Sequence, residues 1–208
     1  MKKQISIIVF ILILFGDLAT AENFSYDYVG VQLATTDSDA TEKEIYLLAS
    51  KSINNNISLR GGLYYYAGDW TTSNKSKEQI GKGFYIDSVF NVGITSTTDF
   101  VVSTGYSYFS AESICTPISG VCTSSSNATN DTNIYSATIG IKQKLTDSIE
   151  IEAHYRGIEF EEGTSSVTQG NLILMDRLSD NISFGIDYSW NITRNDFNRS
   201  GLFIRREF

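Results

Sequence analysis

The chain has 208 residues, 16 of them basic and 24 acidic, for a formal charge of −8, with 16 glycines, 12 tyrosines, 12 phenylalanines and a single proline. So acidic a balance excludes the basic footprint of a nucleic-acid binder, and no nucleic-acid partner is expected. One histidine and two cysteines are too few for a dedicated zinc centre, and no P-loop, dinucleotide fingerprint or G-x-S-x-G elbow occurs, so neither a cofactor nor an enzymatic activity is expected.

The first element is a targeting segment. Lys2 and Lys3 precede an apolar run over residues 5–15, and Ala19-Thr20-Ala21 follows it. Charged, apolar and small-residue regions in that order predict a secretory signal peptide over 1–21, cleaved after Ala21, leaving a domain over 22–208. The apolar run is shorter than the roughly 20 residues that a spanning helix needs. Removal of the signal leaves 14 basic and 23 acidic residues, a formal charge of −9.

The rest of the chain reads as short strands. Four segments, SINNNISLRGGLYYY, ITSTTDFVVSTGYSY, KLTDSIEIEAHY and RLSDNISFGIDYSW, each pass from a few turn-forming Asn, Asp, Ser or Thr residues into an alternating strand. They predict four tight hairpin turns and a repeated supersecondary unit. Around them lie candidate strands 24–36, 43–52, 56–68, 79–93, 99–111, 133–145, 148–161, 168–177, 181–192 and 198–208. Each is near the 9–11 residues that a tilted strand needs to cross a bilayer. An even count puts both ends of the chain on the side of the short turns. The longer connections, 37–42, 69–78 and 112–132, then face outward.

The two faces of each strand differ in kind. After the turns the apolar sets are Ile57, Leu59, Leu63 and Tyr65; Phe100, Val102, Tyr106 and Tyr108; Ile149, Ile151, Ala153 and Tyr155; and Ile182, Phe184, Ile186, Tyr188 and Trp190. Aliphatic residues come first and aromatics last, which suits hydrocarbon depth followed by an interfacial aromatic girdle. The opposite face carries charges of both signs. Arg60, Asp87, Lys142, Glu150, Glu152, His154, Arg156, Asp187 and Arg205 are expected to form a charge network inside a narrow lumen. A soluble barrel would also alternate, but it would bury the apolar face, and this second face is too polar for a protein core. The fold expected is therefore all-β: a closed antiparallel up-and-down transmembrane barrel of about ten strands, eight being the alternative.

Two further features bear on function. Cys115 and Cys122 sit in a Ser/Thr/Asn-rich stretch and, in an oxidising compartment, are expected to close a loop by a disulfide. His154 beside Glu152 has the composition of a general base and its orienting carboxylate, but a salt-bridged lumen filling explains the same residues without catalysis.

At its C-terminus, Gly201-Leu-Phe-Ile-Arg-Arg-Glu-Phe208, the chain resembles the outer-membrane β-barrel families of Gram-negative bacteria. The aromatic last residue of those families is read by the barrel-assembly machinery, and Phe208 is the matching position; Arg206 departs from the usual apolar choice. The opening Phe24-Ser-Tyr-Asp-Tyr-Val-Gly-Val and the repeated turn-and-strand units resemble the small OmpX/OmpA-like barrel group in a ten-strand variant. The resemblance implies a bacterial outer-membrane location, with lipid, lipopolysaccharide and the assembly machinery as partners. The function expected is a non-enzymatic structural or surface-interaction role, adhesin-like, carried by the external loops toward an external surface ligand. A narrow small-solute channel is the alternative, and an outer-membrane hydrolase stands behind it.

Overall fold

The computed structural model describes residues 24–37, 41–71, 75–117, 128–161, 166–193 and 198–208. The signal segment 1–21 lies outside them, as does the Cys115 to Cys122 pairing, since Cys122 is not described. Ten strands occur among the described residues: β1 Tyr28–Asp37, β2 Thr41–Ser52, β3 Ile57–Thr71, β4 Lys75–Thr95, β5 Thr98–Pro117, β6 Ala128–Lys144, β7 Ile149–Phe160, β8 Ser166–Ser179, β9 Ile182–Asn191 and β10 Asn198–Glu207. Each pairs antiparallel with its neighbours in sequence, and β1 pairs with β10 to close the barrel.

The short turns share a mechanism. Asn54 Oδ1 accepts hydrogen bonds from the backbone N–H of Asn56 and Ile57, both at 2.9 Å. Thr146 Oγ1 does the same for Ser148 and Ile149, at 3.3 and 3.0 Å. In both turns the first backbone N–H also donates to the carbonyl at the start of the next strand, Ile53 to Ile57 and Leu145 to Ile149, each at 2.8 Å. A small polar side chain thus replaces ladder bonds that the reversing backbone gives up, which is why Asn and Thr recur there.

Inside and outside follow the two-residue period. Leu33, Leu47, Leu63, Ile139, Ile186 and Leu202 all face outward and stay exposed, Leu47 at 52%. Tyr65, Tyr135, Tyr155, Tyr188 and Trp190 lie nearer the end away from the turns, also outward. Exposed aliphatics in that number suit hydrocarbon rather than water. At the turn end Arg206 lies over the Phe208 ring, 5.7 Å from its centroid, so the charge that breaks the apolar pattern is held at the rim.

The lumen is filled rather than hollow, and glycines make the room. A Cβ on Gly81 would come 2.0 Å from the Tyr66 ring, one on Gly140 2.1 Å from His154 Cδ2, and one on Gly185 2.3 Å from Phe203. Tyr46, Tyr64, Phe109 and Tyr66 stack in sequence, with centroids 5.5, 5.9 and 5.1 Å apart. Gly140→Ala is expected to lower unfolding stability by about 1–3 kcal/mol through overpacking. Gly157→Ala, whose Cβ would meet nothing within 4 Å, should leave stability nearly unchanged. Urea titration of the folded barrel in lipid vesicles checks the contrast.

Three boundaries differ from the sequence reading. The first strand starts at Tyr28 rather than 24, because residues 24–27 leave the sheet. The connections read as 69–78 and 112–132 are largely strand: β3 runs to Thr71, β4 starts at Lys75, β5 runs to Pro117 and β6 starts at Ala128. Their continuous ladder, Lys75↔Pro117 through Gly81↔Ala111 and Ser113↔Ala128 through Tyr108↔Asn133, satisfies the backbone groups that a loop would leave to water. Ser, Thr and Asn were misleading because locally they favour turns, whereas here the ladder to the neighbouring strands decides; the inward positions Ala111 and Ser113 are even buried, at 1% and 5% exposed. β4 and β5 have 21 and 20 residues against 10 for β9 and β10, so β3 to β6 form a wall that rises past the rest of the rim.

Candidate functional site

All nine residues assigned to the lumen network lie on inward-facing positions, and seven take part in ion pairs between fixed charges, with His154 beside one of them. Near the turn end, Lys142 on β6 is 1% exposed, with Nζ 3.2 Å from Glu150 and 3.1 Å from Glu152 on β7. His154 Nε2 lies 3.5 Å from the same Glu152. Glu150 also meets Arg177 of β8 at 3.3 Å and Arg205 of β10 at 3.8 Å, and Arg205 meets Glu207 at 2.7 Å. β7 and β10 are not neighbours, so the Glu150 to Arg205 contact reaches over the strands between them. Each carboxylate of the cluster faces a cation and each cation a carboxylate, which offsets part of the cost of desolvating them.

Higher in the barrel, Arg60 on β3 pairs with Asp87 on β4 at 2.8 Å. Arg199 on β10 holds Glu44 of β2 and Asp187 of β9, both at 2.7 Å, while Gln32 of β1 donates to Asp187 at 2.5 Å. This clasp spans four consecutive strands across the closing seam. Arg156 is the exception: its guanidinium donates to Ser136 Oγ at 3.1 Å and, among the described residues, joins no carboxylate within ion-pair distance.

Sequence reasoning left Arg177 and Arg199 out of the network. Arg199 shares the inward parity of Arg205 and Glu207, so the alternation of β10 carried the signal. Arg177 shares the inward parity of Ile173 and Met175 and pairs with Ser183, so the alternation of β8 carried that signal too. Among the described residues no group of three or more His, Cys, Asp or Glu is placed to hold a metal. The His154 and Glu152 pair lies beside Lys142, and both residues also line a cavity.

The residues that precede β1 form the floor. Phe24 is 7% exposed; the Lys142 ammonium lies 4.7 Å from its ring centroid and that of Lys144 5.5 Å. Tyr26 donates to Asp99 Oδ2 at 2.8 Å, and burial, then the Asp99 charge, push its phenol far above the ordinary value. Asp27 is tied to the barrel wall by Lys51 and by the Ser52 backbone N–H. Burial would raise its carboxyl, but those donors outweigh it and bring the value down to about 2, so the tie is ionic at neutral pH. Between floor and network lies a cavity of about 40 Å³, lined in part by Tyr26, Ser58, Arg60, Lys142, Glu152 and His154.

The chain matches no protein-family model and no curated protein sequence. Among solved structures it is similar to the translocator domain of the autotransporter NalP from Neisseria meningitidis, with a TM-score of 0.59 and 7% identity over 90% of this chain and 91% of that one. It is also similar to the transport unit of the autotransporter AIDA-I from Escherichia coli, with a TM-score of 0.49 and 11% identity over 96% and 97%. Neisserial surface protein A gives a TM-score of 0.43 and 12% identity over 88% and 98%. At such identities the likeness is one of fold. A closed barrel, an outward apolar belt and an outer-membrane fold together place the chain in the bacterial outer membrane.

Proposed function

We propose that the chain is a surface-interaction barrel, a filled and rigid cylinder that holds the raised wall of β3 to β6 outside the membrane for contact with an external surface. The observation that carries this reading is the pairing of extended strands above with a packed lumen below. Strand ladders continue up to Pro117 and Lys75, well past the strands of the opposite wall, while ion pairs and stacked rings occupy the interior beneath. Contact residues on a rigid scaffold are the usual arrangement for recognition. Among the described residues the wall also has an edge without a sheet neighbour: the side of β6 toward β7 is paired up to Ile134↔Phe160 and the Glu161 N–H to Asn133 carbonyl bond, and residues 128–132 are paired with β5 alone. An open edge of that kind accepts an extended segment of another chain. Insertion through the assembly machinery by way of Phe208, lipopolysaccharide as a neighbour, cleavage after Ala21 and a Cys115–Cys122 disulfide in the wall belong to the same reading.

The test removes the wall and spares the barrel. Deleting 68–79 and 112–129, and closing each gap with a two-residue turn, joins positions that already face each other across the sheet: Ala67↔Ile80 and Ala111↔Asn130. Cells displaying the trimmed chain should lose adhesion to surfaces that the full chain supports, while the trimmed barrel still shows heat-modifiable migration. Undiminished adhesion would overturn the reading. A steady single-channel conductance of the full chain in planar bilayers would favour a narrow channel instead.

A further inference from the structure

We infer that residues 24–27 are a removable stopper that seals the lumen at the end bearing the short turns, and that the cavity above them is a hydrated chamber which their withdrawal opens to that side. The inference stands apart from the proposed surface role, since it concerns the opposite end of the barrel.

Placement comes first. Phe24 precedes the first strand yet is nearly as buried as the core, and its burial is against lumen residues: both Lys142 and Lys144 lie over its ring. A cation above an aromatic face is attractive, and more so where water is excluded. Lys142 also lies 5.2 Å from the Tyr26 centroid, so one buried ammonium is shared by two stopper rings and two carboxylates of the wall. The Tyr26 hydroxyl reaches Asp99, which is fully buried at the foot of β5.

Attachment is the second point. Residues 24–27 are not part of the β-ladder. Their recorded ties to the barrel backbone are the Phe208 N–H donating to the Asp27 carbonyl at 3.1 Å and the Ser52 N–H donating to the Asp27 carboxylate, both at the root of the segment. Among the described residues Phe24 and Tyr26 are held by side-chain contacts, so withdrawing them breaks no strand pairing.

The third point is what they cover. Ser25 and Tyr26 form part of the wall of the 40 Å³ cavity. Ser58 and His154 line it too, and among the described residues neither Ser58 Oγ, which is buried, nor His154 Nε2 has a hydrogen-bond partner. Polar atoms of that kind around a space of that size are served by water, at about 10–15 Å³ of such volume for each molecule. Water and small ions are therefore the occupants for which the chamber is built, and the stopper separates them from bulk solvent.

The test places a thiol in the chamber. Ser58→Cys is made in a chain that also carries Cys115→Ser and Cys122→Ser, and the folded barrel is treated with a small, water-soluble methanethiosulfonate. With the stopper intact the thiol should react slowly. Phe24→Ala with Tyr26→Ala should raise the labelling rate at least tenfold while heat-modifiable migration persists. Asp27→Ala, which loosens only the root, should also raise it, and decides the matter if the double variant does not fold. Equal protection in every chain would overturn the inference, because the segment would then seal nothing. Fast labelling with the stopper intact would overturn it too.

Discussion

Replacing Lys142 with alanine is expected to lower unfolding stability by about 3–5 kcal/mol, the range found when one partner of a buried ion pair is removed and the other charge is left without it. Lys142 is almost wholly enclosed and stands about 3 Å from two carboxylates. Glu150 would keep Arg177 and Arg205, but Glu152, among the described residues, would lose its one direct cation partner beside the imidazole of His154 and keep the more distant Arg205. The ammonium also lies over Phe24 and Tyr26, so the stopper would loosen with it. Lys142→Met combined with Glu152→Gln removes both ends of the pair and should recover a large part of the loss. Urea titration in lipid vesicles reads both variants, and a cost below about 0.5 kcal/mol for the single change would mean that the cluster is bathed in water.

Leu47→Arg should be nearly as damaging, for the opposite reason. Leu47 lies on the outward face of β2 between Val31 and Leu63, in the middle of the apolar belt. A cation at the bilayer midplane of a barrel costs about 2–4 kcal/mol, falling to about 0–1 kcal/mol near the interface. Glu159→Arg, on the outward face at the far end of β7, is the control at the rim. Similar costs at the two positions in vesicle refolding would show that the belt does not sit in hydrocarbon.

The parts of this fold that were legible in the sequence are those where one physical rule acts alone. Asn54 and Thr146 mark turns because their side chains bond the reversing backbone, and the parity of Ile182 to Trp190 sets inside against outside with no tertiary information. The lumen charges followed from the same parity, so Arg60 and Asp87 were found together. The raised wall was not legible, because its Ser, Thr and Asn residues read locally as turn formers, and what holds them as strand is the pairing of β4, β5 and β6. The stopper was missed for a related reason. Phe24, Tyr26 and Tyr28 continue the alternation of β1, and nothing local says that the chain turns inward before Tyr28. The reason is tertiary: Lys142 and Asp99, more than seventy residues away, offer the partners.

The clasp of Arg199 with Glu44 and Asp187 bears on the order in which the barrel forms. Every ladder but one joins strands adjacent in sequence and can zip locally, whereas β1 and β10 meet over a separation of about 170 positions. Contacts of that span are the slowest to form, because the entropy of closing the loop must be met before they give anything back. The clasp residues come from β2, β9 and β10, with Gln32 of β1 joining at Asp187, so the clasp is complete only when the last strand has docked. Until then the growing sheet has two free edges, each a template for another chain. Closure is thus a single late event fastened from within, and a chain lacking its final ten residues would remain an open sheet without the Arg199 that draws Glu44 and Asp187 together across the seam.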